Sequence, residues 1–255
     1  MDDKVKVVML CGDGKSSRIM YNALAPHANI QCVIIEKKNR ITLLKKRIIK
    51  LGIITVIGQI VFILVNKLIA QASKGRIKQL ISYYGLSDIA IPEGITRTVN
   101  SINNEETISI LRKYKTDAVV VNGTRIISKK VLSSVNTPFI NTHMGITPRY
   151  RGVHGGYWAL AKGDRENCGV TIHLVDQGID TGGVLYQETI SIEKIDNFNT
   201  YPIHQISKAI PLMISALNDV KGSHINVKQG VLPSNLWYHP TIFEYIQHWI
   251  QRGIK

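Results

Sequence analysis

The chain has 255 residues, 44% of them apolar and 20% charged, with 20 glycines and 8 prolines. That mixture suits one large α/β domain, alone or with a modest appendage, and excludes disordered and fibrous classes. The formal charge of +14 favours an anionic partner: a phosphorylated or nucleotide-linked substrate, a polyanionic cofactor tail, RNA or an anionic membrane surface.

Lys6–Leu10 is a short apolar run that predicts a strand, followed by the turn Cys11-Gly12-Asp13-Gly14-Lys15-Ser16-Ser17. Arg18–Leu24 predicts a helix and Ile30–Glu36 a second strand, so the opening reads as a right-handed βαβ unit. Gly12 and Gly14 allow open turn geometry, and the N–H groups that follow could hold a phosphate at the helix start. The spacing is not that of a Walker loop, and a plain tight turn is the competing reading.

Thr42–Lys50 is basic, and Leu51–Val65 is nearly all apolar, interrupted by Gly52, Gly58 and Gln59. Taken as 51–65 this run is too short for a membrane-spanning helix, which needs about 20 apolar residues. A buried helix, or one closing a subunit interface, is expected. Peripheral membrane contact through 42–67 is the alternative, because Lys45, Lys46, Arg47, Lys50 and Lys67 flank the run and could meet anionic headgroups. Helix is expected to continue over Ile69–Tyr84, with Ile91–Val99 leading back to the core.

Glu105–Tyr114 has helical spacing, with Ile108, Leu111 and Tyr114 on one face. Asp117–Val121 is a β-branched run typical of a central parallel strand. Pro138–Asn141 and Gly169–Val175 predict further strands, Gly183–Ile190 an edge or antiparallel strand, and Ile203–Leu217 a late helix. Cys11, Cys32 and Cys168 are few and scattered, as buried small hydrophobes would be rather than disulfides or metal ligands. Charge directly after Met1, without a signal-type apolar core, points to a reducing cytoplasm. No aromatic-interleaved basic stripe, zinc finger or Arg-rich tail appears, which counts against nucleic-acid binding as the main task.

The chemistry concentrates in three polar residues. Asn141 and His143 lie two apart at the end of a predicted strand, so both point to one face. His143 could relay a proton near neutrality, and Asn141 could hold a developing oxyanion without bearing charge. Asp180, in the turn from Asp176 to Gly183, could orient His143 and raise its basicity. Asp176 has the ordinary role of shaping its own turn. His173 either assists from the neighbouring strand or packs there. No Gly-x-Ser-x-Gly elbow or close metal-ligand cluster is present, so neither serine-triad nor metal chemistry is expected.

At these residues the sequence resembles the folate-dependent formyltransferase family. The resemblance is carried by Asn141-Thr-His143-Met-Gly-Ile-Thr-Pro148-Arg-Tyr150-Arg151-Gly152, then Gly169-Val-Thr-Ile-His173 and Asp176-Gln-Gly178-Ile-Asp180-Thr-Gly182. It covers roughly 117–190, more weakly the N-terminal βαβ opening. It implies an α/β fold, an open, mostly parallel twisted sheet with a Rossmann-like formyltransferase core. It also implies formyl transfer from 10-formyltetrahydrofolate to an amine through a tetrahedral intermediate, with Asn141, His143 and Asp180 as the catalytic set. The pterin would lie along Asn122, Thr124, Arg125 and Ile127 and under Val175, Asp176 and Gly178.

The resemblance divides the chain into a catalytic domain over 1–217, with a helical insertion near 42–90, and a short C-terminal extension over 218–255. Gly12, Gly14, Lys15, Arg149, Arg151 and Trp158 are the candidate acceptor contacts, although solvated basic loops explain the cations almost as well. Trp237, Tyr238 and His239 are read as a small aromatic core that could also line an acceptor cleft. The stretch from Tyr150 to Trp158 and the short C-terminal region look closest to sugar amine formyltransferases, which implies a nucleotide-linked amino sugar. Phosphoribosylglycinamide is the second acceptor. Transfer RNA is disfavoured, because 218–255 is shorter than the β-rich domain that methionyl-tRNA formyltransferases carry. A homodimer stays open, as does a non-catalytic protein that binds a membrane or partner through Leu51–Val65.

Overall fold

The structure is a computed structural model that describes residues 4–37 and 40–255, without the side chains of 40–43 and 46. Lys46, one of the cations expected to flank the apolar run, therefore has its side chain outside the described residues. The described strands in chain order are β1 (Lys6–Cys11), β2 (Asn29–Glu36), β3 (Thr96–Val99), β4 (Ala118–Asn122), β5 (Phe139–His143), β6 (Arg151–Gly152), β7 (Gly169–Leu174), β8 (Val184–Thr189) and β9 (Leu236–Trp237). The helices are α1 (Lys15–Leu24), α2 (Arg40–Leu51), α3 (Ile53–Ala72), α4 (Lys74–Tyr83), α5 (Glu105–Lys113), α6 (Lys129–Leu132), α7 (Gly155–Ala161), α8 (Tyr201–Lys221) and α9 (Ile242–Arg252).

Seven strands form one sheet in the order β3-β2-β1-β4-β5-β7-β8. The first five are parallel, and β7 and β8 close the edge antiparallel. This is the mostly parallel α/β sheet the sequence predicts. Continuous apolar runs such as Val7–Cys11 and Ala118–Val121 follow from burial on both faces. Val7, Met9, Cys11, Val120 and Ile140 face a core that includes Ile19 and Met20 of α1 and Met213 and Leu217 of α8. Val8, Leu10, Val119, Val121 and Phe139 face the opposite core, shared with Ile108 and Leu111 of α5. All three cysteines are buried and unpaired. Burial pushes the Cys11 and Cys168 thiols up to about 12.

The insertion departs from expectation. Helix does continue past Val65 as expected, and α3 runs unbroken from Ile53 to Ala72, 20 residues or about 30 Å at 1.5 Å per residue, so its length is not short of a bilayer's. Asn66, Lys67 and Gln71 interrupt the hydrophobic count but not the helix, since none of them breaks it. Nor is α3 a buried helix, because only 22% of its most apolar 18-residue stretch is buried. One side alone packs, through Val56, Gly58, Gln59 and Phe62.

Polar contacts fix α4 to the core. Arg76 pairs with the buried Asp196 at 3.0 Å, Asp196 meets His204 at 2.9 Å, and His204 meets the Tyr84 hydroxyl at 2.7 Å. α8 runs across the expected boundary at 217, and β9 pairs in parallel with β6, beside the motif loop.

Candidate active site

β5 places Asn141 and His143 on the face whose apolar part carries Val119, Val121 and Phe139, at the end of the strand beyond α5. Across the antiparallel pair, Asn141 stands opposite His173 and His143 opposite Thr171. Asp180 arrives from the loop after β7, in a left-handed backbone conformation with φ 49°, an uncommon state that Asp tolerates better than most residues. The three side chains converge. Nδ1 of His143 lies 3.3 Å from Oδ2 of Asp180, and Asn141 donates its side-chain amide to Oδ1 of Asp180 at 3.3 Å.

Two further contacts orient this set. Nδ1 of His173 faces the Leu174 carbonyl at 2.7 Å, and its Nε2 lies 3.0 Å from Nδ2 of Asn141. A carbonyl only accepts, so His173 carries its proton on Nδ1 and accepts the Asn141 amide at Nε2. Nε2 of His143 likewise faces the Tyr150 carbonyl at 2.6 Å. It therefore donates there, which leaves Nδ1 as the basic nitrogen beside Asp180. Gly145 makes this approach possible, since a Cβ there would overlap both the Tyr150 carbonyl and Nε2 of His143.

The charges follow from these contacts. Burial raises the cost of ionising Asp180, but the positive charge His143 carries when protonated and the Gly152 N–H, which donates at 2.9 Å, outweigh it and hold the carboxyl down at about 2. Burial holds His143 below its ordinary value, partly offset by Asp180 and the Tyr150 carbonyl. The resting site is thus an ionised carboxylate beside a neutral imidazole, and a proton taken up at Nδ1 would be stabilised by Asp180.

The other expected residues are spread around this centre. Asn122 is buried, and its amide donates to Ser16 and Ser17 at 3.0 and 3.2 Å, tying the end of β4 to the first turn of α1. Thr124 bonds the Arg125 carbonyl, and Arg125 pairs at 2.7 Å with Glu36, a nearly buried carboxylate. Ile127 and Val175 belong to the α5 core, whereas Ile126, next to Ile127 in sequence, is 52% exposed. Asp176 accepts from Gly178 N and the Thr181 hydroxyl, and so shapes its own turn.

The candidate acceptor contacts are largely engaged within the fold. The Gly12 N–H donates to the Asn122 carbonyl at 3.1 Å, and Gly14 caps α1 with no side-chain acceptor. Lys15 pairs with Asp88 at 2.9 Å and Arg149 with Asp164 at 2.8 Å, so both cations have carboxylate partners. Arg151 donates to the Ile179 carbonyl at 3.2 Å, next to Asp180, which makes it a brace for the acidic loop. Trp158 is buried, with Nε1 donating to the Tyr238 carbonyl. Trp237 stacks on Tyr150 and Trp158 at 5.9 and 4.8 Å, and Lys162 lies over the Trp158 and Trp237 rings.

The backbone groups of Tyr150 and Gly152 were invisible to residue typing, because any residue supplies a carbonyl and nearly any an N–H. The only sequence trace of their roles is the pair of glycines at 145 and 152.

A family model described as Formyl transferase matches residues 7–210. The chain belongs to the formyl transferase family. A methionyl-tRNA formyltransferase of Prochlorococcus marinus is 31% identical over 193 residues, 72% of this chain and 55% of that protein. The chain spans about half the length of the curated relatives it matches. Among solved structures, a sugar N-formyltransferase from a Shewanella species superposes with a TM-score of 0.57 at 18% identity, over 91% of this chain and 76% of that one. A phosphoribosylglycinamide formyltransferase from Anaplasma phagocytophilum gives the same TM-score and identity, over 91% and 98%. These two likenesses show the shared formyltransferase fold.

Proposed function

We propose that this chain transfers a formyl group from 10-formyltetrahydrofolate to the amine of a small acceptor, a nucleotide-linked amino sugar. The observation that carries the transfer is the convergence of Asn141, His143 and Asp180 at bonding distances. 10-Formyltetrahydrofolate is the formyl donor of the family, and when bound it supplies an electrophilic carbon. Exposed Ile126 and the loop from Val175 to Asp180 offer apolar and backbone contacts for a pterin, while Asn122 and Arg125 support that region from beneath.

The chain's own residues supply proton and charge handling. Both amide hydrogens of Asn141 are engaged, one at 3.0 Å and one at 3.3 Å. An oxyanion would replace the longer bond and leave His173 holding the amide in place. The proton released by the attacking amine has its acceptor in Nδ1 of His143, where the Asp180 carboxylate stabilises the resulting imidazolium.

For the acceptor, the half-buried Trp237 presents an aromatic surface beside the motif loop, and Lys162 adds positive charge there. A sugar ring with a phosphorylated carrier matches that pairing of aromatic and cation. A tRNA-linked amine is the second reading, favoured by the names of the curated relatives.

Purified protein would be incubated with 10-formyltetrahydrofolate and a panel of nucleotide-linked amino sugars, phosphoribosylglycinamide and methionyl-tRNA. Formylation is followed by mass spectrometry, with His143→Ala as control. One formylated sugar, lost in the variant, is the expected result. Formylation of methionyl-tRNA or phosphoribosylglycinamide alone would replace the acceptor, and absence of transfer to every acceptor would sink the enzyme reading.

A further inference from the structure

We infer that the insertion docks in plane on an anionic lipid bilayer through the free face of α3. This stands apart from formyl transfer and uses none of its residues.

The basic charge of the chain is concentrated in the insertion. Between Glu36 and Asp88 there are 11 Lys and Arg and no Asp or Glu, so this segment holds 11 of the formal 14 net positive charges. The remainder is close to balanced, which argues against a cationic groove around the catalytic centre as the purpose of the charge.

The same segment presents the largest apolar helix face among the described residues. Ile54, Ile57, Val61, Leu64 and Leu68 are between 39% and 82% exposed. They lie on one side of α3 by helical spacing, opposite the buried Gln59. Ile53 and Ile60, also exposed, broaden the row to about 120°, wider than the narrow seam of a paired coiled coil. Lys45, Lys67 and Lys74 are exposed on α2, α3 and α4, the helices that precede, carry and follow this face. An aliphatic face bordered by cations is the composition of a helix seated at the headgroup boundary of an anionic membrane.

The contacts of the packed side set the orientation. Phe62 is 1% exposed and meets the rings of Phe198 and Tyr245 at 4.9 and 5.0 Å. Gln59 accepts from Arg47 at 2.5 Å and donates to the His239 carbonyl at 2.7 Å. Asn66 and Asn199 exchange amide hydrogen bonds at 2.8 and 3.3 Å. Crossing a bilayer would break all of these, whereas lying in plane breaks none. A second copy is the weaker occupant, since a two-fold contact would place the same unneutralised cations against each other.

The test is co-sedimentation of the full chain with vesicles of phosphatidylcholine, and with vesicles in which about a third of the lipid is phosphatidylserine. Binding to the anionic vesicles should exceed binding to the neutral ones by at least about tenfold, and weaken in high salt. Ile57→Ser with Leu64→Ser, and separately Lys45→Glu with Lys67→Glu and Lys74→Glu, should each lower it by about tenfold or more. These side chains are exposed, and thermal melting checks that both variants fold. Absence of binding, equal binding to both vesicles, or binding unchanged by the serine pair would each overturn the inference. A dimer in sedimentation velocity that the serine pair abolishes, without vesicle binding, would assign the face to a second copy.

Discussion

Asn141 donates its side-chain amide to Nε2 of His173 across the antiparallel β5–β7 pair, at 3.0 Å. The histidine is itself held by the Leu174 carbonyl, so a strand residue without an obvious catalytic position determines which way the Asn141 amide faces. Replacing His173 by Phe should lower kcat by about tenfold to a hundredfold while KM for the donor stays nearly constant. His173→Gln should recover part of the rate. Equal loss in both variants would mean the residue acts only through packing.

Asp180 should set the acidity of His143. The Asp180 carboxyl is ionised down to about 2, and it raises a His143 value that burial lowers. Activity should therefore persist below the ordinary histidine value of 6.5 before the acid limb begins. Asp180→Asn should lower kcat by about a thousandfold and move that limb to lower pH, because the supporting charge is gone. A limb that moves upward would contradict the assigned roles.

Gly152 joins the C-terminal segment to the motif loop. It has φ 95°, and a Cβ there would overlap the Trp237 carbonyl. Gly152→Ala should strain the backbone and part β6 from β9, costing about 1–3 kcal/mol in a denaturant titration. Activity should fall further than stability, because the Gly152 N–H that bonds Asp180 moves with the strand.

Acid should weaken the fold through two buried histidines. His154 and His239 meet at 2.9 Å largely inside the protein, and burial lowers both, His239 to about 4. Between 6.5 and 4 the unfolded chain binds protons that the folded chain refuses, so stability falls with pH. For His239 alone the fall from 6.5 to about 4 amounts to on the order of 3 kcal/mol. Asp180 and Asp196 have lowered values, so their contributions are present above the ordinary 3.8 and are lost only as pH drops further. Melting temperatures across this range should decline, and His239→Gln should flatten the decline.

The sheet was legible because strand burial leaves a local record. Val7–Cys11 and Ala118–Val121 are continuous apolar runs, and α5 and α8 show helical spacing. Asn141 and His143 were legible as a pair because a period of two puts them on one face. The exposed side of α3 was not, since an apolar run reads the same whether or not neighbours cover it.

What the sequence alone determined is therefore the parallel α/β core, the family resemblance and the identity of the three polar residues. Tertiary structure decided the rest. Asp180 lies 37 residues from His143 in the chain, and only the return of β7 beside β5 brings them within 3.3 Å. The same holds for the cations Lys15, Arg125 and Arg149, whose carboxylate partners come from other parts of the chain. Whether α3 was buried also depended on which neighbours reached it, and the surrounding elements cover one side. Local pattern records what each residue prefers, whereas pairing and exposure depend on contacts between distant segments.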